Sequence, residues 1–209
     1  MPAPLLLGFV ADPAPQSVPD SLAIASFDAC GAVISDQFEP GDLQQISKHL
    51  LALQHYTPVV PMRPAPVPAD LAERMAVLTP KLAENFALLG KAVEFVIQFP
   101  VDPAILKPAE TDPKDYLRNA LASKQNWQRA SQQELELLGG AIAALESDAL
   151  ASKLGEPNVK GLGAKHYLMN GDHSSQVINQ WRGHLGNAVG SKAVLAGPWA
   201  PYSFVELGD

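Results

Sequence analysis

The chain has 209 residues, 47% of them apolar, and a formal net charge of −7. That length fits one large domain or two small ones, and no Lys/Arg cluster marks a nucleic-acid surface. No apolar run approaches the ~18 residues of a membrane span. The Leu5-Leu6-Leu7 stretch lacks the basic lead of a signal peptide, and a single cysteine, Cys30, leaves no internal disulfide and fits a reducing cytoplasm.

Leu5 to Ala11 reads as a buried strand stopped by Asp12-Pro13. Residues 22–27 and 32–35 read as two short strands, with Asp28-Ala29-Cys30-Gly31 as a hairpin turn. Cys30 is then a buried or turn thiol rather than a reactive one. The period changes at Leu43, Ile46, Leu50 and Leu53, which predicts an amphipathic helix over about 41–55. Val59-Val60 is a short strand between two prolines. Leu71, Met75, Leu78, Leu82, Phe86 and Leu89 predict helix over 69–89. Thr79-Pro80 inside it looks like an N-cap followed by proline at the first helical position, so a kink or two abutting helices is expected. Lys91 to Phe99 alternates cleanly, with Val93, Phe95, Ile97 and Phe99 on one face and Glu94 and Gln98 on the other.

Residues 100–113 are the expected domain junction. Asp112-Pro113 then opens a long helix, taken to run over about 112–154. Its first half is polar, with Lys124, Gln125, Gln128 and Arg129. Its second half carries a seam of Leu135, Leu138, Ile142, Leu145 and Ala149, and Gly139-Gly140 is a place for a bend. The seam spans about two heptads, too few for a firm coiled coil. Packing on the chain's own C-terminal sheet is the preferred account. Residues 164–169 read as a strand, 174–189 as a helix and 193–196 as a last strand. Short strands with helices between them argue for an α+β layered architecture. The split falls near residue 100, giving domains 1–100 and 101–209.

No catalytic constellation stands out. The five histidines lack the spacing of a zinc motif. Gly161-Leu-Gly163 lacks the third glycine and the following helix of a dinucleotide loop. Asp172, His173 and Ser174 are sequence neighbours, whereas a triad needs convergence from separate elements; Asp172 is read as a helix cap. Arg63, alone in a Pro-rich strip, is either a partner anchor or the mate of a carboxylate on its own domain.

The C-terminal segment stands apart. Gly197-Pro-Trp-Ala-Pro-Tyr-Ser-Phe-Val205 should run extended, because proline cannot continue a helix. Its aromatics are costly to leave in water. Docking on the chain's own C-terminal domain is preferred over a partner-binding hot spot built on Trp199 and Tyr202.

This segment closely resembles the C-terminal signature of the gas vesicle GvpF/GvpL family, through Gly197, Pro198, Trp199, Pro201, Tyr202, Ser203 and Phe204. Ala200 stands where that family has the first of two prolines. Residues 58–63 (Pro-Val-Val-Pro-Met-Arg) resemble the family's Pro-Val-hydrophobic-Pro-x-Arg strip. Gly8-Phe9-Val10, residues 89–94 and Tyr116-Leu117 follow it less specifically. Pro64-Ala65-Pro66 departs from the family's Phe-Gly continuation.

The resemblance implies a modified ferredoxin-like N-terminal sandwich and a C-terminal α+β sandwich bearing the long helix. It also implies a cytoplasmic, non-enzymatic accessory or minor structural protein of gas vesicle formation. That protein would need no cofactor or metal and would bind the hydrophobic shell protein and other accessory proteins. Arg63, Lys124 and Arg129 are the residues picked for partner binding. The competing reading is a small-molecule enzyme or sensor with an interdomain cleft near Arg63 and His166.

Overall fold

The computed structural model describes residues 3–12, 18–102, 104, 116–155, 162–185 and 192–207. Eight strands and five α-helices form an α+β protein with two four-stranded sheets among these residues. The fold class is the expected one. Two compact units result. One comprises Met1–Glu94, Asn170–Asp172 and Pro198–Asp209; the other comprises Phe95–Met169 and His173–Gly197. The division falls inside a strand.

The first sheet has the order β2-β3-β1-β4. Its strands are β1 (Leu5–Ala11), β2 (Ala23–Phe27), β3 (Cys30–Ser35) and β4 (Val59–Pro66). All three pairings are antiparallel. β1 is central and buried through six of its seven residues, as an unbroken apolar run requires. β4 is longer than the two residues expected. It reaches Pro66 although Pro61, Pro64 and Pro66 cannot donate hydrogen bonds, and it can do so because it is an edge strand paired only with β1.

Helix α1 (Leu43–Gln54) buries Ile46, Leu50 and Leu53 at the predicted spacing. They join Leu5, Leu7, Val10, Val33 and Val59 in one core. Helix α2 (Leu71–Leu89) runs through Pro80 as one helix, not as two abutting at Thr79. The Thr79 hydroxyl donates to the Met75 carbonyl at 2.7 Å rather than capping a new helix. Burial of Leu71, Met75, Leu82 and Leu89 offsets the roughly 3 kcal/mol cost of an internal proline.

The second sheet has the order β6-β7-β5-β8. It uses β5 (Ala92–Pro100), β6 (Ala149–Leu154), β7 (Leu162–Asn170) and β8 (Val194–Trp199). β5 is buried on both faces from Ala92 to Ile97, so the expected polar face at Glu94 does not exist. The single long helix is two: α3 (Tyr116–Leu137) and α4 (Gly139–Asp148), parted at the glycine pair. The helix does not run to 154, because 149–154 form β6, paired with β7. The seam is nonetheless buried. Trp127, Ser131, Leu135, Leu138, Ile142 and Leu145 continue one stripe, and Lys124 and Arg129 lie on the exposed side. Helix α5 (Ser174–Leu185) buries Val177 and Trp181. Asp112-Pro113, Gly161 and residues 186–189 lie outside the described residues.

Gly163 shows how tightly the second sheet closes. A Cβ there would sit 2.1 Å from Phe99 Cε2, and Phe99 is itself buried. Gly163→Val should therefore displace the ring and cost about 2–3 kcal/mol. A chemical-denaturation midpoint unchanged from wild type would contradict that close approach.

Candidate binding groove

The Pro- and aromatic-rich tail does not dock on the C-terminal half, where it was expected. Residues 198–209 belong to the N-terminal unit, because their apolar side chains complete that unit's core. Ala200 is fully buried among Leu5, Leu7, Ile46 and Leu50, with Tyr202 packed against the same cluster. Gly197 has φ +125°, a conformation open to glycine and strained for other residues. Pro201 then leads into a short 3-10 turn, Tyr202–Phe204.

Four side chains hold the tail through six hydrogen bonds. The Ala200 N–H donates to Ser47 Oγ on α1 at 2.8 Å. A proline at 200 would have no such hydrogen, so alanine here is matched to a serine 153 positions earlier. The Ser203 N–H and hydroxyl donate to Glu94 Oε2 and Oε1 at 2.9 and 2.7 Å. Asn85 reads the backbone of Glu206 both ways, donating to its carbonyl at 3.0 Å and accepting its N–H at 3.1 Å. Lys81 Nζ donates to the Leu207 carbonyl at 3.0 Å. Glu94 is 4% exposed and Asn85 5%. Burial of a carboxylate and an amide is tolerated because these partners satisfy them.

The docked tail makes a groove. Leu43, Gln44 and Ser47 of α1, Arg63 of β4, and Trp199 and Tyr202 of the tail line an open depression of 540 Å³. Thus the Pro-Arg strip and the aromatic tail, separate in sequence, meet at one place. Arg63 is exposed and makes no ion pair or hydrogen bond among the described residues. Its neighbour Met62, on the opposite face of β4, lines a second groove, also 540 Å³, with Leu6, Phe9, Leu71, Leu78 and Leu207. Lys124 and Arg129, on α3, fall in the other unit, as does His166 on β7.

Electrostatics add little reactive chemistry. Burial, then the Asp12 carboxylate, pushes the Cys30 thiol up, away from the thiolate a nucleophile needs. Among the described residues no cluster of His, Cys, Asp and Glu could hold a metal ion, and no helix is long and apolar enough to cross a membrane. Burial raises the Tyr202 phenol to about 12 and pushes Tyr167 up as well. The unfolded phenol ionises near 10 while the folded one stays neutral to about 12, so stability should be intact below pH ~10 and fall as pH rises through that interval. Phenolate absorbance titrated alongside circular dichroism checks this. Tyr202 ionising at its ordinary value in the folded protein would refute it.

Two solved structures match this architecture along its whole length. The crystal structure of the gas vesicle protein GvpF from Anabaena sp. PCC7120 superposes with a TM-score of 0.65 at 16% identity, over 100% of this chain and 98% of that one. GvpF from Microcystis aeruginosa gives a TM-score of 0.65 at 14% identity, over 98% and 100%. The chain has the GvpF fold. No family model and no curated protein matches the sequence. The GvpF likeness accounts for the layout of both units. The groove residues Arg63, Trp199 and Tyr202 lie on the segments by which the sequence resembles that family. Glu94, Asn85 and Ser47, which fasten the tail, carry no motif that sequence reasoning could read. The only signal was polarity at inward-facing helix positions for Ser47 and Asn85; strand alternation put Glu94 on the polar face, and its burial shows only in the fold.

Proposed function

We propose that this protein is a non-enzymatic accessory or minor structural protein of gas vesicle assembly that binds the hydrophobic shell protein. The observation that supports it is the likeness to two GvpF structures, which covers at least 98% of each chain. A strongly apolar shell subunit needs covering before and during assembly, and that is a binding task. It calls for apolar grooves rimmed by polar groups, which flank β4 on both faces. The gas vesicle and the cytoplasm around it are then its sites of action. Other accessory proteins of the same assembly are further partners, with Lys124 and Arg129 on the exposed side of α3 as candidate contacts.

The test is genetic and biochemical. A strain lacking this protein should form few or no vesicles, and the full-length tagged chain should co-purify with the shell protein. Normal vesicles in the deletion strain together with no association would sink the proposal.

A further inference from the structure

We infer that the groove between α1, β4 and the tail receives a segment of a protein partner that presents a carboxylate beside a large apolar side chain. The inference rests on the partner-binding role proposed above and specifies the chemistry of the contact. Its grounds are the lining of the groove. Trp199, Tyr202 and Leu43 supply apolar wall, and Leu43 is 48% exposed, open to any occupant. Arg63 is the one charged residue among the lining residues, and no carboxylate of the described chain pairs with it.

An unpaired guanidinium on a chain of net charge −7 is a local reversal of sign. The protein's general field repels acidic partners, and this groove admits them at one point. Arginine beside tryptophan and tyrosine is also the composition of interface anchors. The planar cation takes a carboxylate in a forked geometry, and the rings bury apolar area at little entropic cost. Ser47, a polar lining residue, is already engaged by the Ala200 N–H, and Gln44 is polar but uncharged. The occupant therefore brings the anion and the apolar side chain together. A cationic or wholly apolar segment leaves Arg63 covered and unpaired, at a desolvation cost.

The probes are short overlapping peptides that tile the gas vesicle shell protein, presented to the full-length chain. Bound peptides should carry an Asp or Glu near Leu, Ile, Val or Phe. Replacing that carboxylate by its amide should weaken binding about tenfold, the scale of a modest hot spot. Arg63→Glu should weaken the same peptides at least as much, and should prefer versions in which the acid becomes lysine. Arg63 is exposed, so the variant's melting temperature should match wild type. Equal binding by Arg63→Glu and wild type overturns the inference. So does loss of self-association alone in Arg63→Glu, which makes the groove a contact between copies of this chain. The two readings fail separately. If Arg63→Glu still co-purifies with shell protein, the groove is wrong and the function stands. If wild type never co-purifies, both fall.

Discussion

Ending the chain at Gly197 should abolish cooperative folding of the first unit, although it removes only residues 198–209. The deletion strips Ala200 and Phe204 from the interior and uncovers Leu5, Leu7, Ile46 and Leu50 beneath. A buried aromatic contributes about 1.5–3 kcal/mol. Trp199 and Tyr202, partly buried, add less each. The hydrogen bonds to Ser47, Glu94, Asn85 and Lys81 go too. Each is worth about 1 kcal/mol net, and more where a buried acceptor is orphaned. The sum is on the order of 10 kcal/mol, comparable to the ~5–15 kcal/mol that holds a whole domain. Loss of the first thermal transition, with binding of an apolar dye at room temperature, is the expected result. A truncated chain that melts as the full chain does would overturn the account. Should the truncated chain not accumulate, Phe204→Ala gives a graded version, expected to cost about 3 kcal/mol.

How much of this was legible in the sequence depends on range. Elements set by local periodicity were readable: β1 from its apolar run, α1 from Ile46, Leu50 and Leu53, and the hairpin from its turn residues, although the turn is Asp28-Ala29 alone and Cys30 and Gly31 already belong to β3. Errors arose where a distant segment decides. Pro61 and Pro64 end a strand in an isolated reading, yet β4 continues because its free edge asks for no N–H. Pro80 marks a break, yet packing of the apolar face of α2 carries the helix through it. Residues 149–154 follow the helical seam without a proline or glycine to stop them, and become a strand by pairing with β7.

The groove was half legible. Arg63, Trp199 and Tyr202 were all singled out, the first as a lone charge and the others as costly aromatics. What the sequence could not supply was their meeting. The tail's aromatics require it to be tied down, which does not say on which half of the chain, and the C-terminal half was the expected seat. Its true seat is set by Ser47, Asn85 and Glu94, between 109 and 153 positions upstream. Ser47 and Asn85, polar at inward-facing helix positions, were the available sign that a segment arrives from elsewhere; Glu94, which alternation places on the polar face, joins them only in the fold.

Glu94 makes that sign testable, and Glu94→Ala should be the most damaging single substitution of a polar residue in the first unit. The carboxylate is buried and accepts both the backbone N–H and the hydroxyl of Ser203. Its removal leaves two donors without those acceptors and a void beside them. The expected cost is roughly 3 kcal/mol. Glu94→Gln keeps one acceptor oxygen but turns an NH₂ toward a donor, so it should fall between wild type and alanine. Ser203→Ala removes the hydroxyl and leaves the N–H bond, for about 1–2 kcal/mol. In a double-mutant cycle the two losses should be strongly sub-additive, because they delete one contact from both ends. Additive losses would mean that Glu94 acts through some other neighbour. The consequence reaches the groove. Tyr202, next to Ser203 in the chain, and Trp199 line the same groove as Arg63. Loosening Ser203 should therefore weaken peptide capture even at temperatures where Glu94→Gln remains folded. Arg63→Glu weakens capture with the fold intact; Glu94→Gln does so by releasing the wall. A Glu94→Gln chain that is folded, less stable and unchanged in peptide binding would show that the tail serves the core alone.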